Sequence, residues 1–217
     1  MSGNTSRSIL RNLKLEHDSA WQQILAKYNE LEPTTIQPLV IQDPYRCNML
    51  SAFICFKTEI AAKVSIMIGI GDEQTDISFD FSASGEWLYD HFIPIAGLYP
   101  DSNNIVAITV NYEDGTVESF ECDIQTEALP ELPVLMPTLR DIDNFEYNEN
   151  IALMAEGFTF MAPQSAYIFG VDSKRVVRWI LQGDYVNSEW SDIERLANGN
   201  FLVSFGFYEL REVDVLG

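Results

Sequence analysis

Residues 104–124 read NIVAITVNYEDGTVESFECDI, and this stretch decides the class of fold. Between residues 120 and 124 apolar and acidic residues alternate, which is typical of a strand with one buried face and one face in water. Glu113-Asp114-Gly115 separates this run from the apolar run before it, and the glycine supplies the positive φ that a tight hairpin needs. The stretch therefore predicts a β-hairpin.

Other short β-type runs surround this hairpin. Together with its two strands they cover residues 49–56, 63–70, 75–81, 104–112 and 116–124. Roughly six to seven strands in about 90 residues indicate a β-sandwich of immunoglobulin (Ig) type, with a small barrel as the alternative. We place this Ig-like sandwich at residues 36–128.

A helix precedes the sandwich. Apolar residues recur at helical spacing between residues 21 and 31, and Pro33 ends the pattern. Ser19 and Gln22 match the S-x-x-Q pattern of a capping box, which predicts a helix start at Ser19. The apolar residues between 9 and 15 either extend this helix or form a separate helical turn. The N-terminal helical segment is predicted at residues 1–35.

A proline-rich connection and a second β-rich unit follow. Pro130, Pro133 and Pro137 predict an extended linker over residues 129–150. Strand patterns then resume at residues 166–171, 176–181, 191–196, 200–205 and 208–215. Asp172-Ser173-Lys174 and Asn198-Gly199 mark turns, and the second predicts a type I′ hairpin.

Residues 151–217 have the size and strand number of one β-propeller blade. One blade cannot bury both of its faces, so we expect an incomplete propeller that continues in a larger toroid. The predicted fold is therefore mainly β, with an N-terminal helix, an Ig-like sandwich and the first blade of a truncated propeller.

Asp43-Pro44-Tyr45 followed by Leu50-Ser51-Ala52 forms one recognisable motif, and residues 91–104 form another. Both resemble motifs of the bacterial aryl-sulfate sulfotransferases that do not use PAPS. The first is similar to that family's N-P-Y-G-x-x-P-L-x-A motif. Residues 91–104, HFIPIAGLYPDSNN, resemble its H-x-I-P-V-x-G-L-Y-P-x-x-x-N segment more closely. The first-blade resemblance comprises YIFGVD at 167–172, VRW at 177–179, LANGNF at 196–201 and EVDVLG at 212–217. Arg46-Cys47-Asn48-Met49 departs from the first motif, because it replaces the family's usual glycine and proline.

This resemblance implies a function for the intact protein. The family moves a sulfuryl group from a phenolic sulfate ester to a phenol through a histidine nucleophile in later blades, without a cofactor. This chain has no match to those positions, so we expect it to be inactive alone, with no catalytic, cofactor-binding or metal residues. We expect a homo-oligomer, formed through the N-terminal domain or the exposed blade. The alternative is a stand-alone Ig-like binding or dimerisation module.

Residues that could carry chemistry all have structural interpretations. His17 is expected to be solvated or to cap a helix, and His91 to hydrogen-bond a strand end. Arg178 should alternate outward beside Trp179, in a cation-π contact or in solvent. Arg175 and Arg195 could also reach a sulfate, and Trp190 could line an aryl pocket with Trp179, but solvent exposure and core packing are the ordinary roles.

Charge and composition restrict the partners. The 33 acidic and 13 basic residues give a net charge of −20, which repels nucleic acid and anionic membranes. The start of the sequence lacks the apolar run of a secretory signal, so we expect a cytoplasmic protein, or an exported or periplasmic one if the N-terminus is incomplete.

The cysteines and acidic pairs suggest neither a disulfide framework nor a metal site. We expect all three cysteines, Cys47, Cys55 and Cys122, to be buried free thiols on strands. If the protein is exported, two of them could instead form a single disulfide. The acidic pairs do not follow an EF-hand order, so we interpret them as surface carboxylates. These pairs are Asp72-Glu73, Asp141/Asp143 and Glu146/Glu149.

Overall fold

The computed structural model describes residues 3–70, 77–80, 86–129, 157–162, 167–174, 176–182, 190–205 and 209–217. These residues form one helix and twelve strands, which confirms a mainly β protein with an N-terminal helix. The helix is α1 (Gly3–Leu31). The strands are β1 (Leu39–Gln42), β2 (Ser51–Ile70), β3 (Ile77–Asp80), β4 (Leu88–Ala96), β5 (Asn103–Tyr112), β6 (Val117–Gln125), β7 (Phe158–Met161), β8 (Tyr167–Asp172), β9 (Val177–Gln182), β10 (Trp190–Arg195), β11 (Phe201–Phe205) and β12 (Glu209–Val213).

Helix α1 is longer than the capping pattern predicts. It runs through Ser19 and Gln22, so the predicted start at Ser19 is wrong, and the residues before it extend the same helix. The Ser19 hydroxyl accepts a hydrogen bond from the Gln23 side chain one turn later instead of capping backbone N–H groups. No proline interrupts the chain before Pro33, so the helix continues to Leu31.

Strand β2 joins the two layers of the Ig-like domain. Its first half pairs with β1 and β4, and its second half pairs with β3 and β5, with β6 on the far side of β5. The sequence predicts two separate strands here because 57–62 breaks the apolar pattern. In the structure one strand continues through these residues. Its pairing register with β4 shifts between Lys57 and Ala62, so the strand bends there without ending.

The core of the domain lies between the two halves of β2. Alternate residues of its first half, such as Ile54 and Phe56, face alternate residues of its second half, such as Val64 and Ile66. On the outer face of the first layer, Ile24 and Tyr28 of α1 pack against Phe53. The helix therefore covers one side of the sandwich.

The second β unit consists of two antiparallel sheets, β7–β8–β9 and β10–β11–β12. Five of these strands match predicted runs, whereas β7 does not. The pattern suggested a single four- or five-stranded blade, but the strands divide into two three-stranded sheets. The rings of Phe160 and Phe201, 4.6 Å apart, join the two sheets, and Phe160 also meets the edge of Trp179.

Both predicted hairpin turns are present, but one has a different type. Gly115 has a φ of 87°, as expected, and Tyr112 N–H donates to the Thr116 carbonyl. At the second turn Gly199 has a φ of 90° whereas Asn198 does not have a positive φ, so the type I′ prediction is wrong. Leu196 N–H donates to the Asn200 carbonyl, which closes a three-residue loop with glycine last. Of the predicted linker at residues 129–150, only Leu129 is among the described residues, and it packs against the core of the sandwich.

Candidate functional site at the junction of the two β units

Arg178 connects the second β unit to the Ig-like domain. Its side chain is fully buried, and its Nε and Nη2 donate to the Gly97 carbonyl at 2.9 and 2.7 Å. Nη1 donates to Asp172 Oδ2 at 3.0 Å, and the guanidinium carbon lies 3.4 Å from the centre of the Tyr99 ring. We call Gly97, Tyr99 and Asp172 the guanidinium socket.

The expected outward position of Arg178 is therefore wrong, although the cation-π contact is present, with Tyr99 as its ring. The expected alternation of buried and exposed side chains does not occur in β9, because residues 177–181 are all buried. This part of the strand therefore has no solvent-exposed face. A buried cation is tolerated when it is paired and hydrogen-bonded, and the socket supplies both.

Asp172 has two tasks in this arrangement. Its Oδ2 accepts from Arg178, while its Oδ1 accepts from the backbone N–H groups of Lys174 and Val176, each at 2.9 Å. The same carboxylate thus closes the predicted turn after β8 and fixes the arginine on β9. The ion pair is built entirely within the second β unit.

The Ig-like side of the socket is held by a buried asparagine. Asn104 Oδ1 accepts from the Tyr99 N–H at 2.7 Å, and its Nδ2 donates to the Tyr99 carbonyl at 3.0 Å. Gly97 has a φ of 87°, a conformation that favours glycine. The sequence motif G-L-Y-P-x-x-x-N therefore describes a rigid loop that presents a carbonyl and a ring to Arg178.

His91 lies on β4 in the core of the Ig-like domain. Its ring stacks on Phe56, with ring centres 4.8 Å apart, and its Nε2 lies 3.2 Å from Thr58 Oγ1. Burial lowers the pKa of His91, against an opposing influence of Asp90, so the imidazole is held neutral.

His17 occupies a different region. It is in the middle of α1, not at a cap, and it is half-buried because its ring stacks on Tyr45 at 4.6 Å. His17 and Tyr45 line a groove of about 760 Å³ between α1 and residues 41–47, which comprise the end of β1 and the loop after it. The two histidines are therefore not brought into one site.

The loop that contains the D-P-Y motif forms a second contact between the two β units. Asp43 Oδ1 accepts from the N–H groups of Cys47 and Asn48 at 2.9 and 3.0 Å. Asn48 Nδ2 then donates to the Val215 carbonyl at 3.1 Å, and the Cys47 carbonyl accepts from Gln182 N–H. Arg46, which stands where the resembling motif has glycine, has a φ of 59°.

Four other residues were considered from the sequence, namely Arg175, Trp179, Trp190 and Arg195. Trp179 is buried and donates from Nε1 to the Val215 carbonyl at 2.8 Å, so it packs the core of the second unit. Arg195 is exposed on β10, while Arg175 lies outside the described residues. Of Trp190 the structure gives the backbone, as the first residue of β10. Arg211 on β12, not considered from the sequence, is half-buried.

The cysteines are free thiols in two environments. Cys55 on β2 and Cys122 on β6 are buried, and burial raises the pKa of their thiols to about 12 and about 11. Cys47 is half-buried in a loop instead of on a strand, with its Sγ 3.4 Å from the Gly217 carbonyl oxygen.

The question of metal binding concerns the acidic pairs. Asp72-Glu73, Asp141/Asp143 and Glu146/Glu149 all lie outside the described residues. In the described part of the chain, no group of three or more His, Cys, Asp or Glu side chains could hold a metal ion.

The geometry defines an Ig-like β-domain whose G-L-Y-P loop receives an arginine from a following β unit. The family model described as the arylsulfotransferase Ig-like domain matches residues 39–127, which contain β1 to β6. Residues 39–127 therefore belong to the arylsulfotransferase Ig-like domains. No curated protein matches the chain significantly. None of the helical residues that the structure describes forms a segment apolar and long enough to cross a membrane.

Proposed function

We propose that this chain is the N-terminal, non-catalytic part of an aryl-sulfate sulfotransferase. The intact enzyme would transfer a sulfuryl group from a phenolic sulfate ester to a phenol, through a histidine nucleophile located beyond this chain. The observation that carries the proposal is the arylsulfotransferase Ig-like domain at residues 39–127. The Ig-like domain then serves as the scaffold on which the β-sheets of the enzyme are assembled.

The chemistry of sulfuryl transfer supports a non-catalytic role. The reaction needs a neutral imidazole that faces the sulfur, with cationic donors for the sulfonate oxygens. His91 is neutral, but it is buried, stacked on Phe56 and within hydrogen-bond distance of Thr58. Arg178, the buried cation, donates to Gly97 and Asp172. His91 and Arg178 thus make separate structural contacts and do not form one catalytic site.

The position of the family motif supports the scaffold role. Within residues 91–104, His91 is buried in the sandwich, where it stacks on Phe56. Gly97, Tyr99 and Asn104 of the same segment form the junction. Apolar residues of the second unit, including Phe169 and Ile180, belong to the same core cluster as the sandwich. The motif therefore lies where the Ig-like domain meets the next β-sheets.

An activity assay tests this proposal. Purified chain 1–217 is incubated with p-nitrophenyl sulfate and phenol, and released p-nitrophenol is measured beside His91→Ala and His17→Ala variants. We expect no release above the buffer blank for any of the three. Release that disappears in His91→Ala would make His91 catalytic and refute the proposal.

The coding sequence after codon 217 tests the family assignment separately. We expect it to encode further β-repeats that contain new histidines, and the protein translated from the complete reading frame to release p-nitrophenol. A stop codon directly after Gly217 would instead favour a stand-alone Ig-like binding or dimerisation module.

A further inference from the structure

Arg178 is shared by the two β units, and its contacts suggest a specific task. We propose that Arg178 is a positioning residue, which sets where the β7–β9 sheet lies on the Ig-like domain and makes the two units unfold together. The socket selects the planar guanidinium group, so lysine cannot replace it. This inference goes beyond the proposed function, because it holds whatever reaction the intact protein catalyses.

The geometry of the socket fits a guanidinium on three sides. The Gly97 carbonyl accepts from Nε and Nη2 along one edge, and Asp172 Oδ2 accepts from Nη1 on another. The Tyr99 ring covers one face at 3.4 Å. A lysine ammonium is a compact charge on a flexible stem, so it cannot satisfy two edges and a face at the same time.

The two sides of the socket come from different units. Asp172 and Arg178 arrive together on the β8–β9 hairpin, with Asp172 already fixed by the N–H groups of Lys174 and Val176. Gly97 and Tyr99 arrive on a loop that Asn104 holds rigid. The hairpin and the loop are therefore each held in shape by their own hydrogen bonds. The guanidinium group contacts Asp172 of its own hairpin as well as Gly97 and Tyr99 of the loop.

Apolar packing alone does not define this register. The shared core brings Phe169, Val171 and Ile180 of the hairpin onto the sandwich, and such contacts are non-directional. The hydrogen bonds from Arg178 to Gly97 and Asp172 are directional, and they are buried. If the sheet slid along the sandwich, the Arg178–Asp172 pair would move as a unit, but Nε and Nη2 of Arg178 and the Gly97 carbonyl would lose their partners in a dry environment.

Tryptophan resonances can follow each unit separately in the full chain 1–217. Trp21 on α1 contacts Phe53 and Phe92 of the Ig-like domain, whereas Trp179 is adjacent to Arg178 and bonds to Val215. With fluorotryptophan labels, ¹⁹F NMR during urea titration should give the same midpoint for both residues in the wild type. In Arg178→Lys we expect a shifted Trp179 resonance and loss of the Trp179 signal at lower urea than the Trp21 signal. Arg195→Lys, at an exposed position, is the matched control and should behave as the wild type.

Chemical rescue separates positioning from simple loss of stability. In Arg178→Ala, millimolar methylguanidinium should return the Trp179 resonance to its wild-type position, whereas methylammonium should not. Tyr99→Leu keeps the charge pair and the carbonyl, and so provides a milder variant in which the Trp179 signal is again lost first. Coincident midpoints in Arg178→Lys, separate midpoints in the wild type, or equal rescue by methylammonium would each overturn the proposal.

Discussion

The Tyr28 hydroxyl of α1 donates a hydrogen bond to Asp90 Oδ1 on β4 at 2.7 Å. Tyr28 is buried, with its ring 4.6 Å from that of Phe92, and Lys57 forms an ion pair with the same carboxylate at 3.7 Å. This bond fastens the helix to β4, the strand in which the segment at residues 91–104 begins. Helix α1 is therefore part of the Ig-like domain in structural terms, although it precedes the matched residues.

Replacing Tyr28 by phenylalanine should show how much the hydrogen bond from Tyr28 to Asp90 stabilises the protein. The ring remains and the hydrogen bond is lost, so we expect the free energy of unfolding to fall by about 1 kcal/mol, since Asp90 is half exposed and can be resolvated. Urea denaturation followed by circular dichroism gives the difference. Tyr89→Phe, at an exposed position of the same strand, is the control and should change nothing. Equal stability of Tyr28→Phe and the wild type would contradict the assigned role.

Arg46→Gly should stabilise the protein. Arg46 has a φ of 59° and an exposed side chain, and a side chain in the left-handed region costs about 1–2 kcal/mol. Glycine removes this cost but gains entropy when unfolded, so we expect a net increase of about 0.5–1 kcal/mol in the free energy of unfolding.

Two variants show whether the backbone conformation is the cause. Arg46→Ala keeps the strain and should not stabilise. Asp43→Gly relieves a φ of 43° but removes the bonds to Cys47 and Asn48 N–H, and should destabilise. If alanine stabilised as much as glycine, the left-handed backbone would not be the reason.

Much of the fold follows from local patterns in the sequence. Alternation predicts β5 and β6, and Gly115 predicts the turn between them, because one face of that sheet is in water. Strand β4 was missed, since Pro94 within it and the glycine after it read as loop residues. The continuity of β2 was missed because a bulge changes the pairing register without leaving a distinctive sequence.

The junction could be predicted less well than the fold. The motifs at 91–104 and 177–179 are visible in the sequence, but their contact joins Gly97 and Arg178, 81 positions apart. Arg178 lies between two apolar residues, Val177 and Trp179. If one face of the strand is assumed to be exposed to solvent, this pattern predicts that the arginine side chain points outward. A local pattern does not reveal that both faces of β9 are covered.

The buried thiols should make the protein sensitive to alkali. Burial raises the pKa of Cys55 to about 12 from an ordinary value near 9, so above pH 9 the unfolded thiol loses its proton while the folded thiol keeps it. The free energy of unfolding should therefore fall as the pH rises from 9 towards 12, by up to about 1.4 kcal/mol per pH unit for this group.

Denaturation midpoints between pH 8 and pH 10, under reducing conditions, measure this slope. Cys55→Ala should reduce it, because one raised pKa is removed. Cys47→Ala leaves both buried thiols in place and should retain the wild-type slope. A slope that Cys55→Ala does not change would rule out this thiol as its source.

His91 should make the protein sensitive to acid. Its pKa is lowered by burial, so between its ordinary value near 6.5 and the folded value the unfolded state binds the proton first. The contribution to stability is present above pH 6.5 and is lost as the pH falls. His91→Gln can still bond to Thr58 but does not titrate, and should flatten the decline. An NMR titration that placed the pKa of His91 at or above 6.5 would contradict the neutral, buried imidazole.

The outer edge of β12 should promote self-association. Among the described residues β12 pairs with β11 alone, and Leu210 on it has 68% of its surface exposed. An unpaired edge with an exposed apolar residue is a template for another strand, and a charge placed there opposes pairing. We therefore expect 1–217 to form dimers or larger species that Leu210→Lys reduces. Met67→Lys is the matched control, because Met67 is 44% exposed on β2 but its strand is paired on both sides, with β3 and β5, and this variant should leave association unchanged. Size-exclusion chromatography with light scattering measures the masses, and a monomeric wild-type chain at high micromolar concentration would show that this edge does not associate.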